Sequence, residues 1–265
     1  MTIWQYADHI QEKEHIEVAA QASNCLFCAT PLEKLRNERE DRGKGGEYET
    51  TSADFWTCPI CGWWKARKEH HYTDFGFQIR QVRAAAAALC NLDLSDLSAP
   101  LDEVRNFLSA KYGARFDVHP RKFELLVASV FRDHGFSSVA TGYSNDAGID
   151  VILEDSSNRR IGVQVKRYKN SIDVEQIRSL VGALCLGGYT KGIFVTTSTF
   201  QRGAPGVALQ SAVRGMPIQL MDAEAFFHAL KIAQREKYKT SGALQTSVEA
   251  DAFMSISSFF HRRRV

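Results

Sequence analysis

The sequence predicts an α/β fold: a mixed sheet flanked by helices, preceded by a small cysteine-rich module and a helical connector. Three observations carry this. From about residue 115 to 237, runs with helical spacing alternate with short apolar runs, in the order α-β-β-β-α-β-α-β-α. Residues 1 to about 75 differ in texture, being rich in Cys, Trp, His and charge, with a Gly-rich interruption at RGKGGEYETT. The 265 residues, 44% hydrophobic and 24% charged, suit one large domain or two ordinary ones with a buried core. Four segments follow: a cysteine-rich module at 1–75, a helical connector at 76–114, the alternating region at 115–237 and a tail at 238–265.

At the N-terminus, MTIWQYADHIQEKEH lacks a basic stretch followed by an apolar core, so no signal peptide is expected. No apolar run approaches the ~18 residues of a membrane span. A cytoplasmic, reducing location is the expectation, and there six cysteines suggest metal before disulfides. The net charge of +2 excludes a globally polycationic protein but leaves room for a local basic groove.

Cys25-x2-Cys28 and Cys58-x2-Cys61 lie 29 residues apart. Each CxxC turn brings two thiolates to one side, and two such knuckles complete a tetrahedral site for zinc. Four thiolates fill the site, so its role is structural. Two unrelated reduced pairs, or one redox pair, are the alternative. The loop from Glu33 to Ser52 is expected to project as an insertion, and Cys90 and Cys185, in apolar helix-like contexts, to be core residues. A zinc ribbon binds nucleic acid or protein, or only stabilises its own fold. KARKEHH after the second knuckle suits phosphate contact or a solvated charged face.

The connector reads as QIRQVRAAAAALC, a turn-rich NLDLSDLSAP, and LDEVRNFLSAKYG, with Pro100 in a first helical turn and Gly113 as C-terminal cap. In the helix from Pro120 to His134, Phe123, Leu126, Val127, Val130 and Phe131 recur at helical spacing, and Gly135 ends it. FSSVAT, GIDVILE and RIGVQVKRY read as strands, the last two joined by DSSN. Asp173 caps a helix with Val174, Ile177, Val181 and Leu184 as its apolar stripe. KGIFVTTS is an apolar interior strand. A helix within Thr199–Val213, the strand MPIQLMD and a helix capped by Asp222 complete the region. The tail 238–265 has no clean period and ends in HRRRV, as mobile or partner-dependent segments do.

The hairpin GIDVILEDSSNRRIGVQVKRY places Asp150, Gln164 and Lys166 among Ile and Val. Such groups cost free energy when buried unless paired or used. Alternation points Ile161, Val163 and Val165 one way and Gln164 and Lys166 the other. Asp150 on the partner strand, and Glu124 on the preceding helix, can join them. Carboxylate, amide and carbonyl oxygens are hard ligands suited to Mg²⁺ or Mn²⁺, and a nearby lysine can orient water or steady a developing phosphate charge. The plain structural reading makes Asp150 a strand-end turn residue, Lys166 a snorkelling edge lysine and Glu124 a solvated helix residue.

FELLVASVFRDHGF…GIDVILED…IGVQVKRY…GIFVTTSTF resembles the catalytic domain of Mrr-like restriction endonucleases, within the PD-(D/E)xK nuclease superfamily. The resemblance covers about residues 118 to 225 and implies a restriction-endonuclease-like fold. It matches Glu124, Asp150, Gln164 and Lys166 to the family pattern, with 13 residues between Asp150 and Gln164. Gln164 departs from the superfamily's commonest Asp or Glu, although the Mrr branch favours QxK. One carboxylate fewer implies a weaker metal site that fills with DNA phosphate present.

The implied reaction is hydrolysis of DNA phosphodiesters. Asp150, the Gln164 side chain and the Val165 carbonyl would hold Mg²⁺ (or Mn²⁺), Glu124 a second metal or a water, and Lys166 would orient the attacking water. An ordinary lysine titrates near ~10.4, so acting as base would require lowering it. Arg121, Lys122, Arg159, Arg160, Arg167 and Lys169 could track a phosphate backbone, or merely solvate a hairpin edge. Thr196 and Thr197 could contact phosphate or satisfy strand-end hydrogen bonds, and the loop with Tyr143, Ser144, Asn145 and Asp146 enters the active strand. His119 and His134 read as capping or surface residues.

Cutting both strands needs two sites, hence a homodimer or larger assembly, with a protein partner possible through the ribbon or tail. The role implied is defence against foreign or modified DNA. The alternatives are a repair or junction-resolving nuclease and a non-catalytic zinc-dependent DNA-binding module.

Overall fold

The computed structural model describes residues 3–44, 47–74, 76–142, 148–241 and 248–255. The loop 143–147 and the terminal HRRRV lie outside them. In chain order the elements are β1 (Trp4–Asp8), α1 (Lys13–Gln21), β2 (Glu33–Lys44), β3 (Glu47–Thr57), β4 (Trp64–Asp74), β5 (Phe77–Leu89), α2 (Leu101–Ala110), a 3₁₀ turn (Tyr112–Phe116), α3 (Pro120–Asp133), β6 (Ser137–Ala140), β7 (Val151–Glu154), β8 (Arg160–Lys166), α4 (Val174–Leu186), β9 (Lys191–Thr196), α5 (Ala204–Val213), β10 (Ile218–Met221), α6 (Ala223–Ser241) and α7 (Val248–Met254). They divide into two compact units, Met1–Leu92 with Tyr238–Val265, and Asp93–Lys237. No described helix is long and apolar enough to cross a membrane.

The first unit is an antiparallel sheet in the order β1-β5-β4-β3-β2. The alanine run expected to be helical is strand β5, and the connector expected at 76–114 is split between the two units. Pairing on both edges, Lys65–Asp74 with Phe77–Ala86 and Trp4–Asp8 with Ala85–Leu89, overrides alanine's helix preference. The small side chains of Ala84–Ala87 are buried. The stretch expected to project as a loop is the hairpin β2–β3, paired from Glu33↔Thr57 to Lys44↔Glu47. Its charges hid the strand period, but they meet across the ladder, Lys34 reaching Asp54 at 2.7 Å.

Within the tail, the described residues 248–255 are more ordered than expected. Helix α7 packs on β3 and β4 with Ala250 and Met254 buried, and Asp251 pairs with Arg36. Two buried lysines of β4 fasten helix ends. Lys65 donates to the carbonyls of Ala20 (3.2 Å) and Ala22 (2.5 Å) at the end of α1, and Lys68 to Phe253 (2.9 Å) and Ser255 at the end of α7.

The second unit holds a mixed sheet, β10-β9-β8-β7-β6, antiparallel from β6 to β8 and parallel from β8 to β10. Helix α3 packs on β6, β7 and β8. Its buried Phe123, Leu126, Val127, Val130 and Phe131 are the stripe read from the sequence. A second core cluster joins Ile149, Ile172, Ile177, Leu180, Leu184, Phe194 and Ala204.

Local signals act as expected. The Asp173 carboxylate accepts from Gln176 N (3.0 Å), that of Asp222 from Ala225 N (2.9 Å), and His119 Nδ1 from Arg121 N (3.1 Å). Helix α2 stops at Ala110, so Gly113 sits inside the 3₁₀ turn rather than capping the helix. Buried Arg105 ties α2 to α3 and α6, donating to Asp133 (2.5 Å), Ser129 and Gln234. Cys185 is exposed and Cys90 half-buried, so neither is a core residue. Leu184 faces the core, and one residue further the helix turns about 100° outward.

Candidate active site and metal centre

In the first unit the two knuckles are built alike. Cys25 N donates to Thr30 O (2.8 Å) and Ala29 N to Cys25 O (3.0 Å). Cys58 N donates to Trp63 O (2.7 Å) and Gly62 N to Cys58 O (3.0 Å). The fifth residue of each, Ala29 and Gly62, is left-handed, with φ of 58° and 78°. All four Sγ atoms lie within 4.8 Å of one another. The Cys25–Cys61, Cys28–Cys58 and Cys28–Cys61 distances are 3.5, 3.4 and 3.9 Å. Tetrahedral zinc with Zn–S near 2.3 Å places sulfurs about 3.8 Å apart, so the cluster fits a zinc ribbon.

The crowded thiols disturb one another. Hydrogen bonds from Cys25 and the other thiols pull Cys28 far below a normal thiol, while Cys58 and Cys61 are pushed up, first by Cys25. Buried Trp4 ties β1 to the second knuckle, its Nε1 donating to Cys61 O (2.8 Å).

In the second unit, Asp150 stands just before β7, where the chain enters beside β8. Its backbone N donates to Val163 O (2.9 Å), and its Oδ2 accepts from Val165 N (2.6 Å). That anchor turns the half-buried carboxylate towards β8. Gln164 is 8% exposed, and its Oε1 accepts no hydrogen bond. Its side chain ends beneath Gly148 (φ +87°), where an added Cβ would lie 3.7 Å from the amide nitrogen. Lys166, the last residue of β8, is half-buried, with Nζ 6.0 Å from the Tyr168 ring centre. Asp150, Gln164, Val165 and Lys166 are thus brought to one strand junction. Glu124 lies on α3, which packs on β7 and β8, and its carboxylate pairs with Arg121 at 2.7 Å.

The basic residues divide. Arg159 and Arg160 are exposed on the β7–β8 hairpin, Arg159 pairing with Asp155 (2.8 Å) and Arg160 lying 4.9 Å over the Tyr189 ring. Lys169 is exposed as well. Lys122 is buried, its ammonium donating to the carbonyls of Leu97 and Ala99, both at 2.5 Å. Arg167 turns inward to Phe116 O. These two engage main-chain carbonyls, which a basic run in the sequence does not reveal. The threonines are structural in their hydroxyls: Thr197 Oγ1 donates to Tyr168 O (2.9 Å), and Thr196 Oγ1 accepts from Ser198 N (3.2 Å). Arg115, not singled out from the sequence, donates from Nε to Thr197 O at 2.8 Å. No motif marks it, because its partner lies 82 residues away.

With this strand junction in view, the comparison with known families is direct. Residues 116–230 match the family model Mrr_cat, described as restriction endonuclease. The match takes in less than half of the chain and spans α3 to β10. Over 120 residues the chain is 30% identical to the Type IV methyl-directed restriction enzyme EcoKMrr of Escherichia coli (strain K12), a stretch covering 43% of this chain and 38% of that enzyme. Among solved structures, a repair endonuclease from Pyrococcus abyssi aligns with a TM-score of 0.26 and 13% identity, covering 83% of this chain and all of that one. A score that low does not bear on fold or activity. The matched stretch includes Glu124, Asp150, Gln164 and Lys166, whereas the four cysteines lie outside it.

Proposed function

We propose that the protein is a metal-dependent DNA endonuclease acting in restriction or defence, with Mg²⁺ or Mn²⁺ at the strand junction and structural zinc at the four cysteines. One observation supports this most: a buried amide oxygen without a partner, on Gln164, next in sequence to the residue that anchors the Asp150 carboxylate. Leaving such an acceptor dry and unpaired costs about 1–3 kcal/mol. A hard cation held by Asp150, Gln164 Oε1 and the Val165 carbonyl would recover that cost. When bound, such a cation supplies a more acidic water and neutralises phosphate charge.

The chain's own groups do the rest. Val165 N–H fixes the carboxylate, and Lys166 would orient the attacking water and donate to the phosphate. Glu124, held by Arg121, is offered a role only once that pair opens. Arg159, Arg160 and Lys169, all exposed, would contact backbone phosphates, and two copies of the chain would cut the two strands. Type IV behaviour, meaning a preference for modified DNA, rests on the resemblance to the Escherichia coli enzyme alone.

The test is cleavage of plasmid and modified phage DNA with Mg²⁺, with Mn²⁺ and with EDTA, comparing wild type, Asp150→Ala and Lys166→Ala. Metal-dependent cutting lost in both variants is expected. Cutting that survives EDTA, or survives in Asp150→Ala, contradicts the proposal.

A further inference from the structure

Two arginines next to the proposed site face inward rather than towards solvent. Strand β8 ends at Lys166, whose carbonyl accepts from Thr197 N at 3.1 Å. Thr197 O in turn accepts from Arg115 Nε at 2.8 Å, and Arg115 stacks on Tyr112 and Phe116 at 5.0 and 4.2 Å. From the other side Arg167, the residue after Lys166, donates to Phe116 O. The 3₁₀ turn Tyr112–Phe116 is therefore joined to the Lys166 strand end twice, once through Thr197 just past β9 and once through Arg167.

We infer that Arg115 and Arg167 are positioning residues that hold Lys166 against the 3₁₀ turn, and that Arg167 does not bind DNA. The inference rests on the nuclease reading of Lys166. Both guanidiniums are half-buried, and each gives an N–H to a main-chain carbonyl. A planar fork can stack and donate at once, which a lysine cannot reproduce. Strand β8 carries Gln164, Val165 and Lys166 in succession, so a strand end that loosens displaces the lysine first. Misplacement by about 1 Å can lower a rate about 100-fold.

The experiment compares Arg115→Met and Arg167→Met, with Arg115→Lys and Arg167→Lys as conservative partners, in steady-state DNA cleavage. Each Met variant is expected to lower kcat about 10- to 100-fold with KM within about twofold, and to leave the salt dependence of DNA binding unchanged. On a Lys166→Ala background the same changes should add less than about twofold, because they act through a side chain already removed.

A raised KM with a salt slope reduced by about 1 would make Arg167 a phosphate contact and overturn the inference. So would losses that multiply on the Lys166→Ala background. Amide hydrogen exchange separates the two readings. If wild type cuts no DNA, the nuclease reading fails, while faster exchange at Thr197 in Arg115→Met still supports the clamp. Unchanged exchange there overturns the clamp whatever the activity.

Discussion

In the first unit, charged groups withdrawn from water are closed by the chain itself. Lys65 gives its ammonium to the end of α1, Lys68 to the end of α7, and the four thiols face one another. The second unit treats Lys122 and Arg105 the same way, yet it leaves Gln164 Oε1 buried and open beside an anchored carboxylate. Buried atoms without partners occur elsewhere in both units, among them the hydroxyls of Thr51 and Ser138, Arg167 Nε and Gln176 Oε1; what sets Gln164 apart is its place at the strand junction with Asp150 and Lys166. On the proposed reading, the difference separates a zinc cluster that would complete a fold from a junction that would take up ligands. Full satisfaction stabilises, whereas an open acceptor implies something else must arrive.

The largest effect that could break this comparison lies in the first unit. Cys58→Ser should abolish zinc binding and unfold the antiparallel sheet, since structural zinc contributes about 10–16 kcal/mol to folding in small metal domains. Metal analysis and limited proteolysis would check it, and a zinc-free protein with an intact sheet would refute it.

Next comes Asp150→Asn, which should keep the melting temperature within a few degrees but lower cleavage by roughly 10³-fold or more. Lys68→Met should cost about 1–3 kcal/mol by leaving two carbonyls without their donor, read as a lower denaturation midpoint. Burial, with Arg83 adding, pushes the Lys68 ammonium down to about 8. The unfolded chain then binds more protons than the folded one between about pH 8 and ~10.4. Wild-type stability should therefore rise across that window relative to Lys68→Met, and denaturant titrations at pH 7.5 and 10 would show it. The smallest effect is Arg160→Ala, expected to reduce the salt slope of DNA binding by about 1 with kcat unchanged.

What the sequence revealed follows the same division. The second unit was legible from α3 through α6 because its signals are local: helical spacing in α3, Asp173 and Asp222 as caps, and a QxK two residues from the end of an apolar strand. The first unit was legible at its cysteines, where spacing alone states the chemistry. It was not legible at β5, because alanine's preference is weak and strand pairing on two edges decides. Nor was α7 visible as part of that sheet, since Lys68 and Ser255 are 187 residues apart. At the proposed site, residue types singled out Asp150, Gln164 and Lys166. They gave no sign that Lys122 and Arg167 engage the carbonyls of Leu97, Ala99 and Phe116, partners that any sequence supplies.

The most direct measurement is Mn²⁺ binding, followed by electron paramagnetic resonance, with and without an uncleavable phosphorothioate duplex. Wild type, Asp150→Asn and Gln164→Leu would be compared. The account predicts weak binding to the free protein, tighter binding once DNA is present, and loss of that gain in both variants. Equal Mn²⁺ binding by all three proteins would contradict it, and the open amide of Gln164 would then be a packing defect rather than half of a cation site.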